Sequence, residues 1–341
     1  MWHGILGHDD VVDRFHRILA AGRLASTYLF VGPPGVGKRR FAIELARSLL
    51  CTETPEASLE PCGRCESCQM FVTGTHPDLE LVGLPPGKST LPISLFVGDD
   101  EHRNQEGLCH RIGLRPFFGR RKVAIIDDAD QFGIASANCL LKTLEEPPPS
   151  ALLILIGTSP ARQLPTIRSR SQIVRFRTLD TETIAKILLE TGTVSDRAQA
   201  LRAAEFGEGS VERARELADP ILWEFRDQFM ASLSSAQPDS VRLGRSVQAF
   251  VDDAGKEASL RRDRLRLVIG FAMEFYRLGL RTARPSGDII RALDACVTAL
   301  EQIDRNANLG LTIQHWCEKL VGFIGLCEQR RTTFRVAQPV A

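Results

Sequence analysis

The chain has 341 residues, enough for two or three domains rather than one. Apolar residues make up 43% and charged residues 25%, the composition of a protein that folds around cores. Lysine plus arginine number 43 against 42 aspartate plus glutamate, so the net charge of +1 excludes a global field toward nucleic acid or a lipid surface. The N-terminal MWHGILGHDD has neither the basic nor the apolar region of a signal peptide, and the longest apolar run, 151–156, is only a strand's length. The expectation is a cytoplasmic protein with no membrane partner.

In chain order, TYLFV (27–31) reads as a buried strand, followed by Gly32-Pro-Pro-Gly35-Val-Gly37-Lys38 and a helix, RRFAIELARSLL. This is the order of a nucleotide-binding P-loop. Gly32, Gly35 and Gly37 let backbone N–H groups turn toward a phosphate, and Lys38 would reach the β- and γ-phosphates. Arg39 stands where the motif asks for a Mg²⁺-binding hydroxyl. A guanidinium has only donors and cannot take that role, and its expected orientation is outward. A second Gly-Lys-Ser, in GLPPGKS (83–89), has too few residues between its glycines and a proline where a helix should begin, so 83–98 reads as an irregular excursion.

Four of the nine cysteines, Cys51, Cys62, Cys65 and Cys68, form C-x10-C-x2-C-x2-C. Four thiolates at this spacing suit a closed, structural Zn²⁺ site. An iron–sulfur cluster is the rival reading, but Gln69-Met70 stand where a ferredoxin run would carry its further cysteine.

DLELV (78–82), KVAIIDDAD (122–130), ALLILIGTS (151–159) and QIVRF (172–176) supply four more strands. Asp127, at an acidic strand end, is placed to support Mg²⁺. Asp128 stands where many such ATPases carry a glutamate that activates water, and an aspartate there is one methylene short. SANCLLKTLEE reads as a helix with Ala137, Leu140, Leu141 and Leu144 on one face, stopped by three prolines. Beyond residue 178 only helical patterns remain: a small unit to about 218, then long amphipathic helices to about 328 and a loose tail. GRRK (119–122) and RRDRLR (261–266) are the only candidate nucleic-acid patches, and such runs are usually solvated faces.

Taken together, WHGILGHDDVV, YLFVGPPGVGK, PCGRCESC with GTHPDLELV, KVAIIDDAD, ANCLLKTLEEPP and LPTIRSRSQIVRF resemble the delta-prime family of bacterial DNA polymerase III clamp-loader subunits, in the AAA+ superfamily. The resemblance implies an α/β AAA+ P-loop domain over 1–177 with an inserted zinc module at about 51–75. A small helical lid domain over 178–218 and an all-α collar domain over 219–341 would follow. It implies a hetero-pentamer with tau/gamma and delta subunits, acting on a sliding clamp and primer-template DNA. Ser169-Arg170-Ser171 matches the family's Ser-Arg-Cys motif, which makes Arg170 the trans arginine for a neighbour's ATP. Thr158 matches the first sensor. At the second sensor Glu212 stands where an arginine is expected, with Arg213 one place later. Arg39, Asp128 and Glu212 all weaken the chain's own site, so the resemblance implies a stator without significant hydrolysis, its own ATP/Mg²⁺ doubtful and nucleotide binding left open. The alternatives are an active tau/gamma-type ATPase and a zinc-dependent DNA-binding regulator.

Overall fold

Five short runs assemble one parallel sheet: β1 (Thr27–Val31), β2 (Leu79–Val82), β3 (Lys122–Ile126), β4 (Ala151–Gly157) and β5 (Gln172–Arg175). The structure, a computed structural model, describes residues 2–102, 105–235, 237–282 and 287–326. The strand order is β2-β3-β4-β1-β5, with β1 aligned to β4 from Thr27↔Leu153 to Val31↔Gly157. Every residue of β1, β3 and β4 is buried, as expected where helices cover both faces of a parallel sheet. Strand alternation then sorts side chains into two cores. Tyr28, Phe30, Val123, Ile125, Leu152 and Ile154 face one side, while Leu29, Val31, Ala124, Ile126, Leu153 and Leu155 face the other.

The first core is closed by α1 (Asp9–Ala20) and α2 (Lys38–Leu50), which bury Phe15, Phe41, Leu45 and Leu49. A short α3 (Glu66–Val72) follows the cysteine-bearing loop. The second core is closed by α4 (Ser94–Val97), α5 (Leu108–Gly113) and α6 (Ile134–Glu145), whose Phe96, Leu108, Ile112, Ala137 and Leu140 are fully buried. The 83–98 stretch is thus less irregular than its composition suggests: α4 ends it, and Leu91 makes an isolated bridge to Phe132. β3 stops at Ile126, short of the acids, because Asp128 turns through a left-handed φ of 53°.

After α7 (Pro165–Ser169) and β5 come α8 (Thr181–Glu190), α9 (Arg197–Phe206) and α10 (Val211–Glu216), N-capped by Asp180, Asp196 and Ser210. These belong to the first of two units, 1–218; the second spans 219–341. Within the second unit are α11 (Pro220–Leu233), α12 (Ser240–Asp252), α13 (Ala258–Thr282), α14 (Gly287–Asp304) and α15 (Leu309–Leu326). Phe225 stacks on Phe250 at 3.8 Å between ring centroids, and Phe229 on Trp316 at 6.1 Å, tying three of these helices into one core. The tail read from the sequence lies outside the described residues. Among the described residues no helix is long and apolar enough to cross a membrane.

Candidate functional site

The C-terminal ends of the central strands open into a cavity of about 870 Å³. One wall is the phosphate loop. Gly35 and Gly37 have φ of 71° and 98°, values that only glycine adopts freely, and Gly37 is the N-cap of α2. Lys38 is buried, and its Nζ donates to the carbonyls of Gly32 at 2.7 Å and Pro33 at 2.6 Å. Burial pulls its pKa down, against the opposing charges of Asp127, Asp130 and Glu212. The ammonium therefore sits on its own loop, within a cavity whose acids keep it in place.

Opposite stands the acidic strand end. Burial raises the pKa of Asp127, with Arg39 and Lys38 acting the other way. Arg39 is 62% exposed yet reaches back, its Nε 3.5 Å from Asp127 Oδ2. The sequence reading of an outward arginine is corrected to that extent: the residue in the hydroxyl position forms an ion pair with the acid expected to support Mg²⁺. Asp128 accepts from the backbone N–H of Leu84 at 3.2 Å. Thr158 donates from both N (2.8 Å) and Oγ1 (2.5 Å) to Asp130 Oδ2, and Gln163 donates to the other oxygen of the same carboxylate. Asp130 was not singled out from the sequence. The third acid of DDAD is its only signal, and what it organises lies 28 and 33 residues away.

The cavity's roof comes from α10. The N–H of Val211 donates to Gly35 O at 2.9 Å, and a Cβ on Gly35 would lie 2.1 Å from Ser210 Oγ and 2.8 Å from Glu212 Cβ. Glu212 thus lies over the phosphate loop. Arg213 turns away to Glu208 at 2.7 Å, while Arg215, one turn beyond Glu212, lines the cavity together with Arg162. Arg215 carries no motif signal of its own; helical periodicity from Glu212 is what marks it.

Arg170 lies elsewhere, as the C-cap of α7 two residues before β5. Its Nη2 donates to Glu145 Oε1 at 2.7 Å, and its side chain is one-third exposed. It does not line the chain's own cavity.

The four cysteines converge. The Sγ atoms of Cys51, Cys62, Cys65 and Cys68 all lie within 4.8 Å of one another, with Cys51 and Cys65 3.9 Å apart. A single ion with Zn–S near 2.3 Å sets thiolates about 3.8 Å apart, so the cluster could hold one metal ion such as zinc. Backbone N–H groups already point at the sulfurs: Cys62 to Cys51 at 3.4 Å, Cys65 to Cys62 at 3.3 Å and Cys68 to Cys65 at 3.4 Å. Burial opposes ionisation of Cys51, but hydrogen bonds from Cys62, Thr54 and Glu53 outweigh it and bring the thiol down to about 6. Burial and the neighbouring Cys65 and Cys51 push Cys68 up to about 12. Crowding of this kind is what a cation relieves.

GRRK is not a solvated face. Arg120 donates to the carbonyls of Cys51, Thr52 and Thr54, the last two at 2.7 and 2.8 Å. Arg121 makes a two-pronged pair with Glu56, both bonds 2.7 Å, and Lys122 is buried against Pro77 O and Asp78. Asp78, with no exposed surface, accepts from the N–H groups of Phe117 and Phe118. Ser67 Oγ donates to Leu50 O at 2.6 Å and meets His76, whose pKa is lowered by burial. Arg120 and Arg121 are consumed in fastening the cysteine-bearing loop and Lys122 in holding Pro77 and Asp78, which removes one of the two candidate nucleic-acid patches.

A family model described as DNA polymerase III, delta subunit, matches residues 7–180. The gamma/tau subunit of DNA polymerase III from Mycobacterium bovis is 35% identical over 254 residues, 73% of this chain and 41% of that protein. The delta-prime subunit from Pseudomonas aeruginosa is 39% identical over 146 residues, 43% of this chain and 41% of the relative. The chain thus spans less than half the length of either. Among solved structures, a DNA polymerase III gamma-subunit-related protein from Thermotoga maritima superimposes with a TM-score of 0.54 at 18% identity, covering 92% of this chain and 99% of that one, a likeness of fold. The family match takes in just over half of the sequence, including the phosphate loop, the cysteine cluster and Arg170, and the chain belongs to the DNA polymerase III delta-subunit family, with delta-prime subunits among its relatives.

Proposed function

We propose that the chain is a delta-prime-type subunit of a bacterial replicative clamp loader, a stator that does not hydrolyse ATP itself. In this reading it supplies Arg170 to a neighbouring ATPase subunit while a sliding clamp is loaded onto primed DNA. The observation that carries the proposal is the occupation of the phosphate end by the chain's own groups. Lys38 is bonded to loop carbonyls, Arg39 to Asp127, and Glu212 lies over Gly35. A triphosphate entering here would meet Glu212 and find no hydroxyl beside Lys38 to hold its Mg²⁺. Arg170 is partly exposed; its Nη1 donates to Thr166 O and Ser169 Oγ, and its Nη2 is held by one carboxylate, Glu145, which it can exchange for a phosphate oxygen of a neighbour.

On this reading 1–177 is the AAA+ domain, 178–218 its lid and 219–341 a collar that joins tau/gamma and delta subunits in a hetero-pentamer. Cys51, Cys62, Cys65 and Cys68 hold a structural zinc ion, which when bound supplies a closed tetrahedral crosslink and no open position for chemistry. The second reading, an active tau/gamma-type ATPase, draws on the 35% identity to the mycobacterial gamma/tau subunit and on the cavity that still contains Lys38.

DNA- and clamp-stimulated ATP turnover of the reconstituted loader separates the two. Arg170→Ala is expected to lower turnover by about 10³-fold, in line with trans arginines elsewhere, and Lys38→Ala to leave it within about twofold. An equal loss from Lys38→Ala would establish the active-ATPase reading instead.

A further inference from the structure

The free edge of the sheet carries arginines that neither the phosphate loop nor Arg170 uses. β5 pairs only with β1, so its other side is open. Two hollows lie along it. One, of about 560 Å³, includes Arg14, Arg175 and Arg177 in its lining and extends from the edge across the strand ends to Gly32 and Thr158; the other, of about 490 Å³, includes Arg14, Arg17 and Arg23. Arg14 belongs to both. It is half-buried and fixed by donating from Nη1 to the edge carbonyl of Ile173 at 3.1 Å, which leaves most of its five N–H donors for the hollows. The other four are exposed.

None of the five makes an ion pair among the described residues, whereas Arg39, Arg121, Arg170 and Arg213 each have a carboxylate. Asp10 is the one acid lining either hollow, with Asp9 and Asp13 beside it on α1, all exposed. A surplus of cations is therefore concentrated here in a chain whose net charge is only +1.

We propose that this edge is a docking groove for the phosphodiester backbone of nucleic acid. The cations are all arginine, whose planar fork matches phosphate oxygens in a way a point charge does not. Phe176 N–H donates to Val31 O at 2.7 Å, so the chain stays extended from Arg175 to Arg177. Two residues of extended chain set these side chains on one side, about 6.6 Å apart, a repeat suited to a polymer of single charges. The apolar floor of the first hollow, Val11, Val31, Val174 and Phe176, is buried and offers no sockets for the alternate side chains of an acidic peptide strand. Contacts of this kind position a duplex without reading its sequence.

The proposal is independent of the trans-arginine reading, because its readout is binding by the full chain alone. Fluorescence anisotropy on a labelled primer-template duplex, between about 50 and 200 mM salt, tests it. The wild type is expected to bind with a steep salt dependence. R175A/R177A, at exposed positions, should weaken binding about tenfold or more at low salt and reduce the log–log slope by about 0.9 for each phosphate no longer neutralised. R242A/R245A removes the same charge from exposed positions on α12 and should change neither. An absence of wild-type binding, an equal loss in R242A/R245A, or displacement of the chain by polyglutamate more readily than by unlabelled duplex would overturn the proposal.

Discussion

The two ends of α2 are one helix length apart in sequence and are built on opposite terms. At the N-terminal end, Lys38 bonds to its own loop's carbonyls and Gly35 O takes the N–H of Val211, all facing a cavity. At the C-terminal end, Leu50 O accepts from Ser67 and the carbonyls of Cys51, Thr52 and Thr54 accept from Arg120. Further along the same loop, Leu59 O takes Trp2 Nε1 at 3.0 Å and a ring nitrogen of His3 at 2.9 Å. None of these residues lines the cavity. One end of the helix therefore faces a cavity, and the other is tied into the fold by bonds from distant residues.

The strongest way to break this contrast is to remove a thiolate. Cys68 is 1% exposed, and Cys68→Ser should lower bound zinc from one per chain to nearly none and cost at least about 3 kcal/mol of stability. That is a fraction of the ~10–16 kcal/mol by which zinc folds an isolated finger, because this loop also rests on the sheet. Metal analysis and denaturant unfolding report the two effects. Arg120→Ala should follow at about 10–100-fold weaker zinc retention against a chelator, the usual size for a group that orients ligands without touching the metal. Unchanged retention would mean the three carbonyls are held without it.

Legibility in the sequence cut across both ends of the helix. The central strands β1, β3 and β4 could be read because continuous apolar runs have few other uses, the edge strands β2 and β5 from shorter β-rich runs, and the cysteine cluster because thiolate spacing is tied to metal geometry. Asp130, Arg215 and Arg120 could not. Asp130 acts on Thr158 and Gln163, Arg215 acquires its place from the orientation of α10, and Arg120 acts on carbonyls 66 to 69 residues away, which carry no side-chain signature. GRRK looked solvated for the same reason: four residues of sequence show charge but not what receives it.

At the other end of α2 the expected effects are smaller. Gly35→Ala puts a Cβ where Ser210 Oγ lies 2.1 Å away, on a backbone with φ of 71°. The left-handed conformation alone costs about 1–2 kcal/mol, and the α10 turn must shift as well. Hydrogen exchange at Val211 should accelerate, since its amide is bonded to Gly35 O. If exchange stays slow, the roof over the phosphate loop is held by α8 and α9 rather than by the loop.

The smallest effect belongs to the cap that starts the α8–α10 group. Asp180 accepts from Thr183 Oγ1 at 2.6 Å and Thr183 N at 2.8 Å, and these bonds hold its carboxyl below the usual carboxylate value. A carboxylate whose folded value is depressed contributes stability above its unfolded value near 4, and that contribution is lost as pH falls through the folded one. Asp180→Ala should therefore cost about 1 kcal/mol at pH 7 and progressively less below about pH 4. Asp180→Asn retains an acceptor without titrating, so its gap from wild type should be smaller at pH 7 and should close in acid. The difference in urea midpoint at pH 7 and pH 3 measures both. A gap for Asp180→Ala that stays constant with pH would show that the ionised carboxylate is not what holds the first turn of α8, and with it the approach of α10 to the phosphate loop.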